Sequence, residues 1–280
     1  MSITPATMRT GLLLVILCLS GGCVHHNTRA QRDASFAPYK DAKVGAERLG
    51  DYLLVRSAVL FMADRVDILS SGTNFSFSYA WTNLHDSGMA TAIDPRGYFL
   101  TAAHCVEDKR PCWLLFQGYD KVRVERARIV WRGHRKKGEP DLAILCVSQP
   151  IGATFPWATE FTNGSLAVEV GVRRDNFPRE LEPQCMAGKV LEVSKASSAG
   201  PLDYSVVFHS SPMRPGDSGG PVVLSDGRLL GINVIINFDF QWSHLALNFE
   251  HTQAHRPDLA WLRKVIDADA ALFPREISSP

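Results

Sequence analysis

Neither sign of charge predominates in this chain. Thirty Lys and Arg residues meet 29 Asp and Glu residues, for a formal net charge of +1. That balance offers no electrostatic footprint for nucleic acid, and none is expected as a partner. There is also no repeated βα alternation, which argues against a parallel α/β sheet. The apolar run Gly11–Leu19 is too short to cross a bilayer, which takes about 20 residues. No Cys-x-x-Cys pair occurs, so a zinc site has no sequence support and no metal or cofactor is expected. What remains is an ordinary globular composition, 45% hydrophobic and 21% charged, enough for a real core in 280 residues.

The N-terminus reads as an export signal. Arg9 precedes the apolar run, and the small residues Ser20-Gly21-Gly22 lead to Cys23. Leu19-Ser20-Gly21-Gly22-Cys23 resembles the bacterial lipobox, with Ser20 where that motif usually carries Leu. The expectation is a signal over residues 1–22 and lipidation of Cys23. A polar tether would follow over residues 23–50, then a folded domain over 51–280. Export to the periplasm or cell surface, with a lipid anchor in a bacterial membrane, follows from that reading. Apart from Cys18 in the signal and Cys23, the cysteines are Cys105, Cys112, Cys146 and Cys185. An even number in an exported protein predicts two disulfides, with three possible pairings.

From Gly88 onward, short apolar runs are cut by turn residues. Asp94-Pro95-Arg96-Gly97 separates Met89–Ile93 from Tyr98–Ala102, and Ser225-Asp226-Gly227 separates Val222–Leu224 from Leu229–Val234. Ser57–Met62 reads as a buried strand, and Ala42–Leu49 as a possible helix. The pattern is all-β, a barrel or a sandwich. One helix is expected near the end, with Pro257-Asp258 in its first turn and Leu259, Leu262, Val265 and Ile266 on one face.

Three segments carry chemistry. Gly216-Asp217-Ser218-Gly219-Gly220-Pro221 surrounds a serine with glycines, which permit unusual φ values and close approach of a substrate. The Gly216 and Ser218 N–H groups could converge as an oxyanion hole. A serine needs a base, and the base needs its tautomer held by a carboxylate. Leu100-Thr101-Ala102-Ala103-His104-Cys105 ends an apolar strand in a histidine, and Asp141-Leu142-Ala143-Ile144-Leu145 starts one with an aspartate. Ser218 would attack, His104 would carry the proton, and Asp141 would orient the imidazole. The serine segment also satisfies the G-x-S-x-G elbow of α/β-hydrolases, but there the acid and histidine follow the serine. Here both precede it. A serine esterase is therefore the lesser alternative, beside a protease-like module that binds without cleaving.

These three segments resemble the signatures of the chymotrypsin/trypsin-like serine peptidases, over roughly residues 57–267. The resemblance implies two six-stranded Greek-key β-barrels, roughly residues 55–150 and 160–250, followed by a C-terminal helix at 257–268. It also implies endopeptidase activity on protein or peptide substrates. Ala92–Leu100 and Gly227–Asn233 are similar to the bacterial HtrA (Deg) proteases. About forty residues follow Ile236, too few for the PDZ domain usual in that group. By the same resemblance, Pro212 lies at the base of the P1 pocket, and Val234, Ile235 and Ile236 form the strand that pairs with substrate. An acid is absent at 212, so an uncharged P1 residue is expected. Cys105 resembles the half-cystine that follows the catalytic histidine, yet its usual upstream partner is missing near Met89. No Ile-Val-Gly-Gly start occurs to pair with Asp217, so Asp217 needs another partner and activity without zymogen cleavage is expected. The oligomeric state is not legible.

Overall fold

The computed structural model describes residues 55–71, 77–117, 122–134, 138–173, 182–196, 202–241 and 246–273. The expected signal, Cys23, the tether and the helix at Ala42–Leu49 lie outside the described residues.

Among the described residues, fourteen strands and one α-helix follow in chain order. The strands are β1 (Ser57–Met62), β2 (Arg65–Ser71), β3 (Phe77–Thr82), β4 (Asp86–Asp94), β5 (Tyr98–Thr101), β6 (Cys112–Gln117), β7 (Val122–Arg132) and β8 (Ala143–Cys146). They continue with β9 (Leu166–Arg173), β10 (Glu182–Ala196), β11 (Tyr204–His209), β12 (Pro221–Leu224), β13 (Leu229–Gln241) and β14 (Ala246–Pro257). The helix α1 spans Leu259–Leu272.

Two closed barrels result. One has the order β1-β4-β5-β8-β7-β6, the other β9-β10-β11-β14-β13-β12. With the separate β2–β3 hairpin set aside, both follow one permutation: first, second, third, sixth, fifth, fourth. Closure leaves no exposed sheet edge in either barrel. The strands of both barrels pair antiparallel with one another, and β1, buried at all six positions, lies between β4 and β6.

Turn chemistry explains the hairpins. Gly97 (φ 94°) closes β4–β5, its N–H donating to the Asp94 carbonyl at 3.1 Å. Gly227 (φ 85°) closes β12–β13 by donating to the Leu224 carbonyl at 2.9 Å. Glycine carries positive φ without the Cβ penalty.

The C-terminal boundaries differ from expectation. β14 runs to Pro257, which pairs with Tyr204, so the second barrel extends beyond residue 250. Asp258 is the helix N-cap and accepts the Trp261 N–H, so α1 begins at Leu259 rather than 257. Leu262 and Ile266 are buried, and Leu259 and Val265 pack beside them in the main core.

The expected disulfides are corrected. Cys105, Cys112, Cys146 and Cys185 are free thiols. Cys185 sits on β10 of the second barrel, apart from the other three in the first. Cys105 Sγ turns instead to the Ser218 carbonyl at 3.7 Å, and Cys146 Sγ to the Val147 carbonyl at 3.8 Å. The residue opposite Cys105 is Gly88: a Cβ there would lie 2.7 Å from Cys105 Sγ.

Candidate active site

The first barrel contributes a histidine and an aspartate. β5 ends at Thr101, and the chain turns through a short 3-10 segment, Ala103–Val106, that carries His104. Asp141 precedes β8 and has no solvent exposure. Its Oδ1 accepts the His104 backbone N–H at 3.0 Å, and its Oδ2 lies 2.8 Å from His104 Nδ1. One carboxylate thus holds both main chain and ring, which fixes the proton on Nδ1 and leaves Nε2 as the basic nitrogen. Burial alone would push the imidazole down, but the hydrogen bond that the ring donates to Asp141, with Cys105 adding to it, holds His104 above its ordinary range. The ring keeps 31% of its side-chain surface open to solvent.

The second barrel contributes the serine through the turn from Met213 to Gly220. Gly216 (φ 96°) and Gly219 (φ 88°) carry conformations that side chains resist. The turn is docked onto the first barrel through backbone. Met89 N–H donates to the Ser218 carbonyl at 2.8 Å, and Thr91 Oγ1 donates to the Gly219 carbonyl at 2.9 Å. Both donors lie on β4, and Cys105, next to His104, touches the same Ser218 carbonyl. Ser218 is therefore brought to the corner that holds His104 and Asp141.

The N–H groups of Asp217, Gly219 and Gly220 bond to the carbonyls of Arg214, Asn233 and Asp217. That of Ser218 makes no hydrogen bond among the described residues. Asn233 N–H returns a bond to the Gly220 carbonyl at 3.0 Å, so β13 lies alongside the turn. Val234 on that strand is buried, while Ile235 and Ile236 are half-buried. Pro212 is buried in the segment that enters the turn. Asp217 is also buried, and its Oδ2 accepts the Arg214 backbone N–H at 2.9 Å.

Some contacts were not visible in the sequence. Asp141 N–H donates to His255 Nδ1 at 3.0 Å, across 114 residues and from one barrel to the other. Acceptance at Nδ1 requires the His255 proton to sit on Nε2. His209 is wholly buried, with Nε2 3.0 Å from Asn233 Oδ1, and burial lowers it to about 4. It is a neutral core residue. No cluster of metal-ligating side chains occurs among the described residues.

Residues 88–232, which include His104, Asp141 and Ser218, match the trypsin-like peptidase domain. The chain belongs to that family. Two curated relatives are similar to this peptidase-family chain. The serine protease Do-like HtrA of Bacillus subtilis is 30% identical over 143 residues, 49% of this chain and 30% of the relative. The putative serine protease HhoA of Synechocystis sp. is 28% identical over 179 residues, 62% of this chain and 43% of the relative. The chain spans less than half the length of either.

Proposed function

We propose that this protein is a serine endopeptidase that hydrolyses peptide bonds through an acyl-enzyme. Ser218 is the nucleophile, His104 the general base and then acid, and Asp141 the carboxylate that orients the ring. The backbone N–H groups of Gly216 and Ser218 receive the oxyanion. The observation that carries this reading is the His104–Asp141 bond of 2.8 Å at the corner where β4 holds the Ser218 carbonyl. His104 takes the Ser218 proton as Oγ adds to the carbonyl carbon. It returns that proton to the leaving amine, and water repeats the sequence to release the acid.

Pro212 and the apolar Val234-Ile235-Ile236 strand favour an uncharged P1 residue. Export and lipidation of Cys23 rest on the N-terminal sequence, and the substrates are proteins or peptides outside the cytoplasm. Activity requires no N-terminal cleavage, because Asp217 already has a partner in the Arg214 N–H.

Labelling of the full, uncleaved chain with a fluorophosphonate tests this. Wild type is expected to label at Ser218 and Ser218→Ala not at all, with loss of about 10⁴–10⁶ in kcat on peptides. A folded wild type that never labels would favour a binding module, and one that labels only after proteolysis would overturn activation without cleavage.

A further inference from the structure

Glu169 has no place in the chemistry above, yet it is the least expected residue of the second barrel. It lies mid-strand on β9 with no solvent exposure. Neither carboxyl oxygen has a hydrogen-bond donor among the described residues. A buried carboxylate without donors bears the full desolvation penalty of an ion and escapes it by taking up a proton.

Its surroundings show what a proton there would do. On β9, Glu169 and Gly171 point to the same face, since side chains alternate along a strand. The Asp217 carboxylate rests on that face: a Cβ at Gly171 would lie 2.4 Å from Asp217 Oδ1. The cross-strand neighbours of Glu169 are Met186 on β10 and Val222 on β12, both apolar. Asp217 faces it from the serine turn. Cys185 on β10 pairs with Val170 and points to the other face of the sheet, and burial holds its thiol up at about 12. Arg214, on the same turn, offers Asp217 its backbone N–H; its guanidinium Nε and Nη2 are buried without acceptors among the described residues. Burial first, then the neighbouring Asp217, pushes Glu169 well above its usual range. Two carboxyl groups so close hold one proton more readily than none.

We propose that Glu169 is a positioning residue: it keeps a proton, donates it to the Asp217 carboxylate, and so braces the Gly216-Asp217-Ser218 turn from within the second barrel. The effect of this brace on catalysis rests on the peptidase reading. Glu169 touches no substrate; it acts through Asp217 on the N–H groups of Gly216 and Ser218. Losing its proton would set two carboxylates against each other beneath the oxyanion donors.

The test compares Glu169→Gln and Glu169→Leu in the full chain. Glutamine keeps a donor to Asp217 and cannot ionise; leucine fills similar space and donates nothing. The glutamine variant is expected to keep kcat/KM within about threefold, while leucine lowers kcat by about 10²–10³ and KM far less, the scale of losing an oxyanion donor. In the wild type, kcat should fall at alkaline pH, and the glutamine variant should lose that limb. At about pH 7, where an unperturbed Glu near 4.3 is ionised, the wild-type infrared spectrum should show the C=O stretch of a buried protonated carboxyl. Glu169→Gln should remove that band. Absence of the band, or a glutamine variant as impaired as leucine, overturns the proposal. If the wild type hydrolyses nothing, the peptidase reading fails by itself, and the infrared band still decides whether the proton is shared.

Discussion

His104 shows how one carboxylate sets both geometry and basicity. Burial of the ring disfavours its charged form, and the Asp141 bond more than reverses that, so the folded value stands above 6.5. The sign has two consequences. The pair stabilises the fold below the unfolded value near 6.5, and that contribution fades as pH rises through the folded value. The base is neutral only above its raised value, so kcat/KM should climb with pH from a midpoint above 6.5. Removing the charge of Asp141 leaves burial unopposed. An NMR titration of the His104 ring should show its midpoint fall by about 1–3 pH units from Ser218→Ala to Ser218→Ala/Asp141→Asn. A midpoint that stays or rises would show that Asp141 does not control the ring.

At the scale of elements, the serine turn and β4 act as one unit. Gly219 is where they touch most closely. A Cβ there would lie 2.0 Å from the Met89 carbonyl and 2.3 Å from Thr101 Oγ1, at φ 88°. Thr101 Oγ1 is already committed to that carbonyl at 2.7 Å, so neither atom can withdraw cheaply. Gly164 has nearly the same φ, 85°, but nothing within 4 Å of a Cβ. Gly164→Ala should cost only the left-handed penalty of about 1–2 kcal/mol and leave activity intact. Gly219→Ala adds a backbone collision to that penalty. It should cost more in urea denaturation and also lower kcat; equal costs for the two would sink the docking argument. This contrast also marks what the sequence could convey. The turn glycines, the strand at Ser57–Met62 and the helix face at Leu262 and Ile266 have local signals of φ or period. Gly88 opposite Cys105, His255 beneath Asp141 and Glu169 behind Asp217 have none. Each is defined by a neighbour far away in the chain. An acidic residue in mid-strand reads as solvent-facing until the closed barrel buries it. The free thiols follow the same logic: an even count suggests pairing, but only the fold places Cys185 in a different barrel.

For the proposed triad to act, the whole molecule must hold two barrels in register, because His104 and Asp141 come from one and Ser218 from the other. The segment between the barrels is tied to both: Phe155 N–H donates to the Ala92 carbonyl, and Ala158 N–H to the Leu229 carbonyl. The helix α1 supplies a second tie. It leaves the end of β14 in the second barrel and returns to the wall of the first. Asp269 on α1 receives both Arg128 Nη groups, at 2.7 and 2.6 Å, and the Tyr98 hydroxyl at 2.9 Å. Arg96 reaches Asp267 at 2.8 Å, and Trp131 meets Trp261 edge-on at 4.8 Å. Asp269 is 9% exposed and Tyr98 only 1%, so truncating the carboxylate takes an acceptor away from a buried hydroxyl as well as from a guanidinium. Arg128 keeps 40% of its side-chain surface, which lets water recover part of its loss. Asp269→Ala should therefore cost about 2 kcal/mol, mainly from losing the Tyr98 hydrogen bond and the Arg128 pair. In a domain of this size that lowers Tm by roughly 4–8 °C. Tyr98→Phe alone should cost about 1 kcal/mol, since Asp269 keeps both Arg128 bonds, and in its presence Asp269→Ala should cost less, because the Tyr98–Asp269 bond is already gone. Thermal melts of the two single variants and the double variant read this out, alongside peptide hydrolysis at 25 °C, which should be unchanged in all three. If Asp269→Ala melts with the wild type, the helix does not tie the barrels together. If it melts normally but loses activity, α1 bears on the active site rather than on stability.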